Sequence, residues 1–184
     1  YLYSTGWETT MSGIPMMRAM LLEFDDLGCE DCDRQYMLGE NLLVAPVMNE
    51  EGMAQYYLPE GTWTHLLKGE KHQGGRWYSE HQDYMSIPLY ARPGSVVAFG
   101  AQDDGVLYDY AQDAQYHVYA LGEGETACAC VSGMDGGAAA QLAVSRDAHG
   151  YAIAYQGEKP CTVVMEDERG QASLCLAHAG EYRA

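Results

Sequence analysis

The sequence predicts a mainly β protein: the end of a (β/α)8 barrel followed by two small antiparallel β-sandwich domains. Glycine is frequent, at 21 of 184 residues, which favours short strands joined by turns over long helices. From residue 42 onward, short apolar runs alternate with turn sequences. One longer apolar run before that point is typical of a strand buried on both faces, as in a parallel barrel. We therefore expect a barrel segment at 1–41 and sandwiches at 42–100 and 101–184.

The barrel segment begins with helix formers mixed with Ser and Thr, which stop at Gly13 and predict the end of a helix. The run 14–22 is apolar except for Arg18 and predicts the last barrel strand. A charge in such a strand must be paired, because burying it alone is costly. Arg18 is therefore predicted to form a structural ion pair, and a substrate-facing role is the alternative.

An acidic loop is predicted over residues 25–33, where a barrel would carry its active-site face. A short helix is predicted over 33–39, with Asp31 or Asp33 as N-cap and Gly39 just beyond its end. Hydrolysis of a glycosidic bond with retention needs two carboxylates about 5 Å apart, facing each other across the bond. Carboxylates that are neighbours on one loop do not face each other across a substrate. We therefore expect a solvated loop with a helix cap, and no catalytic pair. The carboxylates concerned are Asp25, Asp26, Glu30, Asp31 and Asp33.

The two sandwiches are predicted from turn sequences such as Pro-Glu-Gly and Arg-Pro-Gly, which recur at a spacing of about ten residues. Residues 100–105 form the best linker, and Met134-Asp-Gly-Gly predicts a hairpin turn. The predicted strands are 42–48, 55–58, 62–67, 75–78, 84–87 and 95–99, then 115–121, 126–132, 141–146, 151–155, 161–166 and 172–176.

The net charge is −17 at pH 7, so the chain would repel phosphate backbones and anionic lipids. Nucleic acids and membranes are therefore not expected partners. No apolar run reaches the roughly 20 residues needed to cross a bilayer.

Six cysteines are scattered along the chain. Cys29 and Cys32 have Cys-x-x-Cys spacing, but no second such pair follows, so a zinc site is only weakly indicated. Cys128 and Cys130 are expected on one face of a strand, as small core residues. Scattered thiols indicate a reducing compartment, and the predicted location is cytoplasmic.

Other chemistry-bearing residues give no pattern of a known site. Gly-x-Ser-x-Gly, Gly-x-Gly-x-x-Gly and P-loop sequences are absent. Trp63, Trp77 and the 15 Tyr could form a sugar-stacking platform, although packing between two sheets is the preferred interpretation. The histidines lack metal-site spacing and are expected on the surface or in sheet packing. They are His65, His72, His81, His117, His149 and His178.

The segments 13–24 and 33–47 resemble family 31 glycoside hydrolases, most closely the bacterial α-xylosidases. Gly-Ile-Pro-Met-Met-Arg-Ala-Met is similar to the family's final barrel strand. Asp-Arg-Gln-Tyr-Met-Leu-Gly-Glu-Asn-Leu-Leu-Val-Ala-Pro-Val is similar to the exit from the barrel into the proximal C-terminal β-domain. The family usually has Pro where Phe24 is followed here by Asp25. The resemblance covers residues 1–100 and continues through 57–65, 74–77 and 86–95.

The resemblance implies a retaining α-glycosidase that uses an Asp nucleophile and an Asp acid/base, without a metal or another cofactor. Its substrates would be α-xylosidic or α-glucosidic bonds in oligosaccharides. The family's nucleophile motif, Trp-x-Asp-Met-x-Glu, is absent here and lies upstream in the family. No catalytic residue is therefore assigned, and the substrate-binding residues are unknown.

By the same resemblance, this chain is a C-terminal fragment that supports the barrel and is inactive alone. Its expected partners are the upstream catalytic barrel, the oligosaccharide through that barrel, and a second copy in a homo-oligomer. The alternative is a stand-alone β-sandwich that binds carbohydrate or has a structural role.

Overall fold

The computed structural model describes residues 1–167 and 170–184, and most of its regular structure is β-strand. The chain divides into two compact units. The proximal unit comprises residues 12–93, and the distal unit comprises residues 1–11 and 94–184. The helical segments are α1 (Leu2–Ser12), α2 (Met20–Glu23) and a 3-10 helix (Leu27–Cys29).

The proximal unit contains a six-stranded sheet and a two-stranded ribbon. Its strands are β1 (Met17–Arg18), β2 (Tyr36–Leu38), β3 (Leu42–Val44), β4 (Met53–Leu58), β5 (Thr62–His65), β6 (Lys71–Gln73), β7 (Arg76–His81) and β8 (Leu89–Ala91). The sheet order is β1-β2-β3-β8-β5-β6, and β4 pairs with β7 to form the ribbon. The pairings are antiparallel.

Large aromatic side chains fill the proximal core, and their polar atoms are satisfied inside it. Trp63 is fully buried, and its Nε1 donates to the Pro59 carbonyl at 2.7 Å. The hydroxyls of Tyr56 and Tyr90, also fully buried, share a 2.8 Å hydrogen bond. A buried Tyr or Trp adds apolar area without an energetic penalty only when its polar tip has a partner.

His65, the last residue of β5, is 1 % exposed and packs against the Tyr90 ring. Its Nδ1 accepts from the Leu67 amide at 3.3 Å, which places the ring proton on Nε2. Nε2 has no hydrogen-bond partner among the described residues. His65 is therefore a neutral packing residue.

The distal unit contains two four-stranded sheets, in the orders β15-β14-β10-β9 and β11-β12-β13-β16. Its strands are β9 (Ser95–Phe99), β10 (Ala114–Tyr119), β11 (Thr126–Ser132), β12 (Ala138–Asp147), β13 (Gly150–Gly157), β14 (Cys161–Asp167), β15 (Gly170–Leu176) and β16 (Gly180–Arg183). The predicted purely antiparallel pairing is wrong at one place, because β10 and β14 run parallel. Alternating side chains such as Tyr116, Val118, Leu142 and Val144 meet in one core.

Helix α1 belongs to the distal unit. The Ser4 hydroxyl accepts from the Ser132 amide at 3.0 Å, at the end of β11. The Trp7 ring lies directly over Gly136, in the turn between β11 and β12, so that a Cβ there would collide with the ring. Gly136 has a φ of +83°, which glycine adopts without strain. Gly13, at φ +75°, ends the helix as predicted.

The predicted barrel strand over 14–22 is wrong beyond β1, and the described residues form no part of a barrel. β1 pairs antiparallel with β2, and the chain turns into α2 at Met20. A strand of a parallel barrel needs partners on both sides. Within the described chain β1 pairs with β2 alone, so Met17, Leu21 and Leu22 remain 59–63 % exposed.

The predicted helix over 33–39 is also wrong. Residues 36–38 form β2, which pairs with β3 in a hairpin. Gly39 has a φ of +63°, as predicted, but it serves the hairpin turn. A left-handed glycine ends helices and closes hairpins alike, so the residue alone does not distinguish them. The capping carboxylate is Asp26, which accepts from the Gly28 amide at 2.9 Å, in place of Asp31 or Asp33.

Among the sandwich strands, the predicted strand over 84–87 is a turn. The Asp83 amide donates to the Ser86 hydroxyl at 2.9 Å, and the Met85 amide donates to the Asp83 carboxylate at 2.9 Å. These local hydrogen bonds compete with pairing between strands. β6 was not predicted, because Lys71-His-Gln73 has no apolar residue to mark it.

We expect Gly136→Ala to destabilise the distal unit by at least about 2 kcal/mol, because it adds a clash with Trp7 to backbone strain. Gly124→Ala is the matched control, since Gly124 has a φ of +82° and open space around it. Strain alone should cost about 1 kcal/mol there. Urea unfolding measures both. The clash explanation fails if the two variants are equal, or if Trp7→Ala does not relieve the Gly136→Ala defect.

Stability should also depend on pH through His65. Burial, reinforced by the Lys68 charge, lowers its pKa. The unfolded chain therefore binds a proton below about pH 6.5 while the folded chain does not. Stability is lost as pH falls below that value, by at most about 1.4 kcal/mol per pH unit. We expect His65→Phe to reduce the slope between pH 7 and pH 5 in urea unfolding. An unaltered slope in His65→Phe would contradict this origin.

Candidate functional site

Arg18 is the buried member of a network of charges in the proximal unit. It is 2 % exposed, and its Nη1 lies 2.8 Å from Glu23 Oε1 and 3.6 Å from Glu40 Oε1. Its Nε donates to the Pro15 carbonyl at 3.1 Å. Arg18 is the last residue of β1, and Glu23 is the last residue of α2. The short helix therefore brings the carboxylate back to the guanidinium, and Arg18 forms the predicted ion pair.

Glu23 joins this network to the strand β8. Its second oxygen, Oε2, lies 2.9 Å from Arg92 Nη1, directly after β8. The Arg92 guanidinium also lies over the Phe24 ring, 4.5 Å from its centroid. One carboxylate thus neutralises two guanidinium groups. Sequence reasoning missed Arg92 and Glu23, because their partnership depends on the tertiary fold.

The acidic loop is held by Asp26 and Tyr57. The Tyr57 hydroxyl donates to the Asp26 carboxylate, with oxygen distances of 3.0 and 3.2 Å. Burial and this hydrogen bond raise the pKa of Tyr57 to about 12. The amide of Gln35 is bonded to both the N–H and the carbonyl of Tyr57. Sequence reasoning missed this anchor, although Asp-x-Gly at 26–28 is a turn signal.

The other carboxylates of the loop are exposed, as expected for a solvated segment. They are Asp25, Glu30, Asp31 and Asp33. Asp26 caps the 3-10 helix and the other four carboxylates face solvent, so the carboxylates of this loop have structural roles. Nothing in this geometry assigns a catalytic pair to the loop.

The two tryptophans, for which packing was predicted and a sugar-stacking platform was the alternative, are in different environments. Trp63 lies in the proximal core, whereas Trp77 on β7 is 53 % exposed. The Trp77 ring is tilted against Tyr57, with centroids 5.6 Å apart. Packing is thus the role of Trp63, whereas Trp77 exposes about half of its surface beside the buried Tyr57.

The cysteine and histidine positions do not converge on a metal site. Among residues 1–167 and 170–184, no group of three or more His, Cys, Asp or Glu could hold a metal ion. Cys128 and Cys130 share one strand face, as predicted, but that face is exposed, so their predicted core position is wrong. The neighbours Ala127 and Val131 take the core side of β11 instead.

The distal unit bears a groove of about 540 Å³ on the outer face of the sheet β11-β12-β13-β16. Small side chains such as Ala143 and Ala152 line it together with Ser145, Glu181 and Arg183. Arg183 also forms a 2.7 Å ion pair with Asp147. The groove offers hydroxyl and charged groups to a polar ligand.

No helix in the described part of the chain is long and apolar enough to span a membrane.

Two family sequence models match this chain. Residues 13–97 match the glycosyl hydrolase family 31 C-terminal domain. Residues 109–181 match the C-terminal domain of alpha-xylosidase YicI. The two matches fall in the proximal and distal units respectively, apart from a few residues at the boundary.

Curated relatives include the alpha-xylosidase XylQ of Lactiplantibacillus pentosus, 36 % identical over 129 residues, which are 67 % of this chain and 17 % of XylQ. An alpha-xylosidase of Emericella nidulans is 43 % identical over 105 residues, or 52 % of this chain and 14 % of that protein. The chain thus spans less than a fifth of the length of these relatives.

Among solved structures, the GH31 dextranase of Flavobacterium johnsoniae has a TM-score of 0.77 to this chain at 21 % identity. The likeness covers 91 % of this chain and 23 % of the dextranase, and it concerns the fold. The two matches to C-terminal domains and the two α-xylosidase relatives thus indicate the same family. The chain belongs to glycosyl hydrolase family 31, of which it carries the C-terminal domains, and its relatives include α-xylosidases.

Proposed function

We propose that this chain is the C-terminal supporting part of a retaining α-glycosidase of the α-xylosidase type. The parent enzyme would hydrolyse α-xylosidic or α-glucosidic bonds in oligosaccharides, and this part alone would be inactive. The α-xylosidase relatives support the substrate class. The family's C-terminal domains are what this chain carries, and the carboxylates of the loop 25–33 are either engaged in the Asp26 cap or exposed.

One observation carries the supporting role: apolar side chains between residues 14 and 27 are exposed. They are Ile14 at 44 %, Met17 at 59 %, Leu21 at 60 %, Leu22 at 63 % and Leu27 at 84 %. Soluble proteins rarely leave a large apolar patch uncovered, and burying one such side chain stabilises an interface by about 1.5–3 kcal/mol. We infer that the upstream catalytic barrel covers this segment, which the Arg18 network and the Asp26–Tyr57 bond hold in shape.

A cytoplasmic location fits the same proposal. All six cysteines lie within the described residues, and all are free thiols. Free thiols persist in reducing compartments.

A stand-alone carbohydrate-binding module is the second candidate. The exposed Trp77 and the distal groove are the observations that favour it. Titration with isoprimeverose, followed by tryptophan fluorescence, separates the two candidates. A saturable change that Trp77→Ala abolishes would favour the binding module, and a flat titration would favour the supporting role.

The supporting role is tested by fusion. The matched C-terminal region of XylQ is replaced by this chain, and hydrolysis of an aryl α-xyloside is measured for the fusion, for truncated XylQ and for this chain alone. We expect activity from the fusion only. Hydrolysis by this chain alone, or a fully active truncated XylQ, would overturn the proposal.

The apolar segment is tested in the same fusion. Leu21→Asp with Leu22→Asp should reduce the yield of active fusion at least about tenfold, because two charges would be buried at the interface. The control is Leu67→Asp, since Leu67 is similarly exposed, at 58 %, in the turn after β5. Equal effects of the double variant and the control would show that the segment is not an interface.

Loss of the Glu23 carboxylate should destabilise the proximal unit. Glu23→Gln leaves Arg18 buried without its nearest anion, so we expect a cost of about 3–5 kcal/mol in urea unfolding. Asp33→Asn is the control, because its ion pair with Arg34 is 3.8 Å long and mostly exposed. That variant should change stability by less than about 0.5 kcal/mol. Similar small effects in both variants would show that the network does not stabilise the unit.

A further inference from the structure

Cys29 and Cys32 pack in and against the proximal core, and the proposed function does not use the reactivity of their thiols. Cys29 is the last residue of the 3-10 helix and is 1 % exposed, whereas Cys32, three residues later, is half-buried. We propose that these two cysteines are a reversible disulfide site, oxidised by a low-molecular-weight disulfide such as glutathione disulfide.

The backbone between the two cysteines turns back on itself. The Cys32 amide donates to the Cys29 carbonyl at 3.4 Å, and the Cys32 thiol donates to the Gly28 carbonyl at 3.2 Å. The Cys32 sulfur therefore points back toward the start of the turn, where Cys29 lies. A turn brings the Cα atoms of residues i and i+3 within about 7 Å, and a disulfide needs about 4.4–6.8 Å.

Cys128 and Cys130 provide an internal contrast. They are closer in sequence but lie on the extended strand β11, both on its exposed face. Residues i and i+2 of a strand are about 7 Å apart, with side chains parallel, whereas a disulfide needs Cβ atoms at about 3.5–4.5 Å. The exposed pair can therefore react with glutathione disulfide but cannot close on itself.

Cys32 is more exposed than Cys29, so it reacts first with glutathione disulfide. The Cys32 thiol loses its proton, and its sulfur attacks glutathione disulfide, forming a mixed disulfide and releasing one glutathione. The Cys29 thiolate then attacks Cys32 Sγ and releases the second glutathione. In balance, the protein loses two protons and two electrons, and one glutathione disulfide becomes two glutathiones.

Burial raises the pKa of Cys29 to about 11 and that of Cys32 to about 12, with the Asp26 charge adding to both effects. Only the thiolate attacks, so the pair is inert at neutral pH on short timescales. The rate of closure should rise about tenfold per pH unit between pH 7 and pH 9.

The experiment incubates the whole chain with glutathione disulfide at pH 8.5, alkylates the remaining thiols and maps peptides by mass spectrometry. We expect the peptide with Cys29 and Cys32 to be lighter by two hydrogen atoms, and Cys128 and Cys130 to carry glutathione or the alkyl group. Dithiothreitol should restore both thiols of the loop. Alkylation or separate glutathione adducts on Cys29 and Cys32 would overturn the proposal.

Two variants test the order of attack. In Cys29→Ser, glutathione should remain trapped on Cys32, because the resolving thiol is gone. In Cys32→Ser, the buried Cys29 should stay a free thiol. If Cys29 instead carries the adduct in Cys32→Ser and Cys32 carries none in Cys29→Ser, the assigned roles are reversed. The wild-type peptide map decides the proposal even if either variant folds poorly.

Discussion

The Glu23 carboxylate neutralises two guanidinium groups that arrive from opposite ends of the proximal unit's sequence. Arg18 is almost fully buried, and its removal from water would cost several kcal/mol without a paired anion. Arg92 brings the end of β8 to the same carboxylate. The course of the chain from β1 through α2 follows from this constraint, because the helix must end where Glu23 can reach both partners. With Met20 in the core and Glu23 fixed by its ion pairs, Leu21 and Leu22 of that helix are left facing outward.

A similar logic applies to the aromatic interior. The sequence contains 15 Tyr but only 2 Phe, so most large rings bring a hydroxyl into the structure. Tyr56 and Tyr90 satisfy each other, Tyr57 donates to Asp26, and Tyr155 donates to the Lys159 carbonyl. Each hydrogen bond fixes the orientation of its Tyr ring, whereas an apolar side chain in the same place would be free to repack. The cores are thus specified by polar tips as well as by shape.

Sequence reasoning predicted the β class, the family, the burial of Arg18 in an ion pair and the end of α1 at Gly13. These features depend on local composition or, for Arg18, on the free-energy cost of burying an unpaired charge, which applies in any fold. It did not predict the hairpin at Gly39, because a left-handed glycine serves helix ends and hairpins equally. It placed Cys128 in the core because alternation fixes which residues share a face, but not which face is buried. The parallel pairing of β10 with β14 and the Glu23–Arg92 bond join residues distant in sequence, which no local pattern encodes.

The helix α1 precedes the proximal unit in the chain, yet it packs with the distal unit through Ser4 and Trp7. The distal unit is therefore encoded by two stretches of the gene, which correspond to residues 1–11 and 94–184. A gene cut after residue 93 would separate Gly136 from the indole that covers it. A distal unit inherited without the residues that precede the proximal unit would lose the Ser4–Ser132 hydrogen bond and the Trp7 ring over Gly136.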